Sequence, residues 1–158
     1  MISNPKTRLI VQGVTKAFEL HLQGGLRLPV VDGLELSVAA GEAAALVGPS
    51  GIGKSTVLRM IYGNYRVDEG QILVVGPGRI TDVAHASPRD ILRLRRDTIG
   101  YVSQFLRALP RVPALDIVAE PLRARGVAVD EARARAGEML GRLSIPERLW
   151  GVPPVTFS

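Results

Sequence analysis

Residues 48–56 read GPSGIGKST, which places Gly48, Gly53, Lys54 and Ser55 in the pattern G-x-x-x-x-G-K-[ST]. This run constrains the fold more than any other feature of the chain. Glycines at 48, 51 and 53 allow backbone angles and close approach that a side chain would block. Successive amide hydrogens can then converge on a phosphate group at the start of a helix. The flanks supply the context the motif requires. Glu42 to Val47, EAAALV, reads as a short apolar strand running into the loop. After Lys54, a helix is predicted with Val57, Leu58, Ile61 and Tyr62 on one stripe and Gly63 with Asn64 at its stop.

The chemistry follows from the residue types. Lys54 is placed to reach β- and γ-phosphate oxygens, the Ser55 hydroxyl to complete a Mg²⁺ shell, and Thr56 to lie near an α-phosphate, with Ser50 inside the loop. Phe18 has two readings, stacking on a nucleotide base or packing within a sheet. Gln104 stands at the end of the strand expected over Ile99 to Val102. An amide there either joins the Mg²⁺ shell and orients water or faces solvent.

Upstream of the loop, the runs Arg8 to Gly13, Lys16 to Leu22, Leu26 to Val31 and Leu34 to Val38 read as strands, with a hairpin turn at Gly24 and Gly25. Downstream, Gln71 to Val75 reads as a strand closed by Gly76, Pro77 and Gly78. Ser87 and Pro88 fit the cap and first turn of a helix reaching Leu94 to Arg96. The remainder is helical, over Ala114 to Arg125 and Val129 to Leu143. The second of these has Glu131 four residues before Arg135 and a packing stripe of Ala132, Ala136, Met139, Leu140 and Leu143. Met139 is read as core. The tail from Pro146 shows no closing element.

Composition narrows the function classes. With 158 residues, one domain is expected. No apolar run approaches the ~20 residues of a membrane span, and the N-terminus lacks a secretory pattern, so cytoplasm is the default expectation. The chain has no cysteine and two separated histidines, so thiolate and histidine-cluster metal sites are not expected. A net charge of +5 favours anionic partners. Only 4% of residues are aromatic, and no zinc-finger spacing or basic zipper is present, so no nucleic-acid partner is expected.

Phe18, the loop from Gly48 to Thr56 and Gln104 together resemble the N-terminal half of an ABC-type ATPase. The resemblance implies an α/β P-loop NTPase domain with an antiparallel β subdomain and the phosphate-loop core over 1–104, and the start of a helical subdomain over 105–158. It further implies ATP and Mg²⁺ as ligands, Phe18 stacking on adenine, Lys54 and Gln104 in catalysis, and Ser55 and Gln104 at the metal.

Within that superfamily, VTKAFELHLQGGLRLPVVDGLELSVAAGE, LRMIYGNYRVDEGQILV, IGYVSQFLRALPRVPALDIVAEPL and SIPERLW look like the L components (PhnL) of bacterial phosphonate carbon-phosphorus lyase systems. That implies an ATP-binding subunit supporting formation of ribose 1-phosphonate 5-triphosphate. Its partners would be a second ABC-type ATPase and soluble phosphonate-pathway enzymes. A membrane permease is the alternative partner, as for the ATP-binding subunit of an ABC transporter. A non-catalytic, nucleotide-dependent interaction module is a third reading.

ABC ATPases also carry an LSGGQ-like helix start, an apolar strand ending in Asp-Glu and a histidine at the γ-phosphate. None of these occurs in the 158 residues, and TFS at the end matches the point where related proteins continue into GGE. Weak ATP binding and little or no hydrolysis are therefore expected of this chain by itself.

Overall fold

The computed structural model describes residues 6–20, 25–103 and 110–157. The chain divides into two compact units, Met1–Tyr101 and Val102–Ser158. The first is built on a four-stranded antiparallel sheet in the order β2-β1-β3-β4, from β1 (Thr7–Leu20), β2 (Leu26–Ala39), β3 (Glu69–Gly76) and β4 (Arg79–Asp82). Helix α1 (Lys54–Ile61) and helix α2 (Pro88–Asp97) complete it.

Where the sequence suggests four strands between Arg8 and Val38, there are two long ones. Gly13 and Gly33 interrupt the apolar pattern, yet both lie within shifts of the β1–β2 register, at φ +57 and +58. A bulge absorbs an extra residue without ending the ladder. The Gly13 N–H remains bonded, donating to Glu35 Oε1 at 2.8 Å. Strand β4, which the sequence reading lacks, hairpins onto β3 with Gly76 opposite Arg79, so the glycine-proline cluster is a two-residue turn and not an end.

Two expected strands are absent. Neither Glu42–Val47 nor Ile99–Val102 enters a ladder, and Val47 and Val102 are each 86% exposed. Strand structure needs a neighbour to take its N–H and C=O groups, and no described segment pairs with either run.

The core of this unit joins one face of the sheet to α1 and α2 through Val11, Val14, Ile72, Val74, Val57, Met60, Ile61 and Leu94. The buried face of α1 is therefore Val57, Met60 and Ile61, spaced i, i+3, i+4, whereas Leu58 is 47% exposed. Helix α2 starts as its sequence suggests. The Ser87 side chain accepts from the Asp90 N–H, and Pro88 occupies the first turn.

The second unit contains α3 (Ala114–Arg123) and α4 (Val129–Arg142), which meet through Ala119, Ala132 and Ala136. Small side chains let the helices approach closely. Arg133 Nε pairs with Asp116 across them at 2.9 Å, and the expected Glu131–Arg135 pair forms at 2.6 Å. Met139 is not core: it is 55% exposed, as Leu143 is at 74%, because the close contact follows the alanines.

The tail is also more ordered than its sequence suggests, with short 3₁₀ turns at Glu147–Leu149 and Pro154–Thr156. Trp150 Nε1 donates to the Ile145 carbonyl at 2.9 Å, and a Cβ on Gly137 would lie 2.9 Å from the Trp150 ring. Gly137→Ala is expected to displace the indole and destabilise this unit by about 1–2 kcal/mol. Trp150 is the only tryptophan, so a shifted emission maximum and a lower urea midpoint read the change directly.

Candidate functional site

The glycine loop takes the backbone its sequence requires. Gly48, Gly51 and Gly53 have φ of +144, +85 and +101. A Cβ on Gly53 would stand 2.9 Å from both the carbonyl oxygen and Cγ1 of Val30, so the end of the loop presses on β2 where only glycine fits.

Gly53 caps α1 with no side-chain hydrogen bond, and the first intrahelical bond runs from the Val57 N–H to the Gly53 carbonyl at 3.0 Å. The amides of Lys54, Ser55 and Thr56 precede that bond, at the positive end of the helix dipole. The first turn of α1 contains no acidic residue to compete for an anion. Gly48, Ser50, Gly51 and Ser55 are exposed, and Lys54 and Thr56 are half-buried. Lys54 Nζ folds back over the loop and donates to the carbonyls of Gly48 at 2.8 Å and Pro49 at 2.7 Å. An ammonium, a row of helix-start amides and a close-approach glycine path thus stand on one short segment, which suits an oligophosphate.

Phe18 lies on β1 opposite Leu28 of β2. Val30, which backs Gly53, is two residues further along β2, or about 7 Å of strand. One strand therefore spaces the phenyl ring from the loop. Phe18 borders a groove of about 540 Å³ lined by Lys16, Ala17, Glu19, Arg27 and Asp68. Its ring meets Tyr65 edge-on, with centroids 5.4 Å apart and planes at 76°.

Lys16 Nζ is bound to Asp68 Oδ1 at 2.6 Å, and the Ala17 N–H donates to Asp68 Oδ2 at 2.8 Å. The Lys16 ammonium, with the Ala17 N–H, holds the Asp68 carboxyl below the usual carboxylate range. Arg59 is raised above its ordinary value by its hydrogen bond to the Tyr65 hydroxyl, at 2.6 Å, and then by Tyr101. Tyr65 and Asp68 escape a sequence reading because each gains its meaning from a residue of β1 distant along the chain, Phe18 for the tyrosine and Lys16 for the carboxylate. Gln104 lies outside the described residues.

Among the described residues no group of three His, Cys, Asp or Glu side chains could hold a metal ion. Mg²⁺ does not require such a cage, since it commonly binds through one or two protein groups, waters and substrate phosphates. The Ser55 hydroxyl at the loop is compatible with that arrangement.

The sheet, the glycine loop and the helix it feeds define an α/β nucleotide-binding domain of the P-loop class. The chain belongs to the ABC transporter family, whose pattern matches residues 31–157. It is 36% identical to the lipoprotein-releasing system ATP-binding protein LolD of Alcanivorax borkumensis, over 94% of this chain and 62% of that protein. It is 38% identical to LolD of Cereibacter sphaeroides, over 89% of this chain and 60% of that protein. With LolD 2 of Caulobacter vibrioides the identity is 41%, over 77% and 52% of the two chains. The chain thus spans less than two thirds of the length of these relatives.

Among solved structures it resembles the dimeric ATP-binding cassette MJ0796 in a post-hydrolysis state bound to ADP and Pi. The TM-score is 0.81 at 27% identity, covering 95% of this chain and 63% of that one. The ABC-ATPase fold expected from the sequence is therefore correct.

The narrower resemblance to the L components of carbon-phosphorus lyase systems is not correct, because relatives at 33–41% identity over most of this chain are LolD proteins. With it go the phosphonate chemistry and the soluble phosphonate-pathway partners. The segments that suggested them lie largely on β1, β2, α1 and β3, which build the sheet and its packing and do not specify a partner.

Proposed function

We propose that this chain is the nucleotide-binding part of an ATP-binding subunit that powers a membrane transporter of the lipoprotein-releasing kind. The observation that carries the reading is the loop from Gly48 to Thr56, with its left-handed glycines feeding directly into α1 and Lys54 lying across it. The likeness to LolD proteins supports the transporter class, and the dimeric cassette MJ0796 supports pairing with a second ATP-binding subunit.

In this reading Lys54 turns from the Gly48 and Pro49 carbonyls to the β- and γ-phosphates. The amides at the start of α1 hold the remaining phosphate oxygens, and Thr56 stands at the α-phosphate. Ser55 and Gln104 are assigned to Mg²⁺, and Gln104 also to coupling between nucleotide and partner. Mg²⁺, when bound, neutralises phosphate charge. Phe18 stacks on adenine at the groove beside β1. The 1–104 segment is the β subdomain and loop core, and 105–158 begins the helical subdomain. Among the described residues no helix is long and apolar enough to cross a membrane. The likeness to LolD proteins supports a place at the cytoplasmic face of a permease.

Titrating ATP with and without Mg²⁺ tests the site. Ser55→Ala is expected to raise the Mg²⁺ concentration needed for half-maximal enhancement of ATP binding about tenfold, corresponding to ~1.4 kcal/mol. Binding of metal-free ATP should not change. An identical Mg²⁺ dependence in the variant would remove Ser55 from the metal, and no measurable ATP binding by the parent chain would remove the site. Co-purification with a permease, lost on competition with a full-length LolD relative, tests the transporter class.

A further inference from the structure

Phe18 is a half-buried ring on β1, and such a side chain holds one pitch only where its neighbours fix its rotamer. Two pairs of residues do so. Lys16, with Nζ 5.4 Å from the ring centroid, is pinned by Asp68. Tyr65 meets the ring edge-on at 76°, and its own ring is flanked by Arg59 with the guanidinium carbon 5.4 Å from its centroid. The Arg59 NH1 bond to the Tyr65 hydroxyl fixes the tyrosine at its far end. A perpendicular contact fixes the angle between two rings without requiring them to overlap face to face, and Phe18 lines the groove. Tyr65 can therefore set the tilt at which Phe18 borders the groove.

From this geometry we infer that Tyr65, held by Arg59, is a positioning residue for the nucleotide base: it orients Phe18 and so contributes to selection of a nucleoside triphosphate over a bare triphosphate chain. The inference rests on Phe18 as the base platform. It assigns Tyr65 no contact with nucleotide. Its effect must pass through Phe18, and that gives it a signature no general structural role shares.

The test compares ATP with inorganic tripolyphosphate as probes, in the parent chain, Phe18→Ala, Tyr65→Phe, Tyr65→Ala and the Phe18→Ala/Tyr65→Ala double variant. Phe18→Ala should weaken ATP about tenfold, the scale of one base-aromatic stack, and leave tripolyphosphate unchanged. Tyr65→Ala should weaken ATP about three- to fivefold with tripolyphosphate again unchanged, and Tyr65→Phe, which keeps the ring and releases Arg59, should fall between it and the parent. The double variant should bind ATP as Phe18→Ala does, because Tyr65 has nothing left to orient.

Equal losses for both probes in Tyr65→Ala would mean a structural role and overturn the inference. So would additive losses in the double variant, or full ATP affinity in Tyr65→Ala when Phe18→Ala is impaired. Unchanged ATP affinity in Phe18→Ala would remove the stacking reading itself, and this inference with it.

Discussion

Lys54→Ala is expected to weaken ATP binding by about two orders of magnitude while the chain still folds. Lys54 is assigned charge-assisted hydrogen bonds to the β- and γ-phosphates, each worth about 1.5–3 kcal/mol, and two at the lower figure amount to roughly 100-fold. Folding is spared for local reasons. Lys54 opens α1, where alanine is the best helix former, and among the described residues its ammonium bonds the carbonyls of Gly48 and Pro49, both exposed residues whose carbonyls water can serve instead. Lys54→Arg should also bind poorly. A planar fork on a longer stem does not reproduce a point charge fitted between two phosphates. Calorimetric titration with ATP reads the loss, and a circular-dichroism melt checks the fold. Unchanged affinity in Lys54→Ala would take the phosphate assignment away from the loop.

The loop was legible in the sequence because its chemistry fixes residue types at fixed intervals along one short segment. Gly48, Gly51, Gly53, Lys54 and Ser55 carry their meaning without reference to anything else in the chain. The capped start of α2 and the Glu131–Arg135 pair were legible for the same reason. Features that depend on a distant neighbour were not. Glu42–Val47 and Ile99–Val102 have strand composition, but a strand exists only in a ladder, and no described segment supplies one.

Met139 has core composition as well, yet the contact between α3 and α4 is set by alanines small enough to bring the helices together. Tyr65 is unremarkable in the sequence and acquires a role only because folding sets it against Phe18. The mistaken narrowing to a phosphonate-pathway subunit has a related origin. The segments behind it serve strands and helices of the fold, and a partner surface leaves no pattern as regular as that of the phosphate loop.

Gly70→Ala is expected to have the largest effect on stability of any single-methyl change in the first unit. Gly70 lies in β3 at φ +91, beside the register shift between Gln12 and Thr15 on β1. A Cβ there would fall 2.5 Å from the carbonyl oxygens of both Gln12 and Gly13 and 2.6 Å from the Gly13 carbonyl carbon. All three are backbone atoms of a strand hydrogen-bonded on both sides, between β2 and β3, so no rotamer change relieves the overlap. Backbone strain of about 1–3 kcal/mol adds to overpacking of about 1–3 kcal/mol, a loss of roughly 2–6 kcal/mol against a typical domain stability of about 5–15 kcal/mol.

Gly33→Ala separates the two contributions. Gly33 is also left-handed, at φ +58, but a Cβ there would meet nothing within 4 Å, so only the backbone penalty of about 1–2 kcal/mol remains. Urea midpoints of the two variants beside the parent should therefore fall unequally, with Gly70→Ala much the lower. Equal midpoints would mean that β1 can yield at Gln12 and Gly13, and that the tight β1–β3 crossing at Gly70 is not what fixes the sheet on which Phe18 is carried.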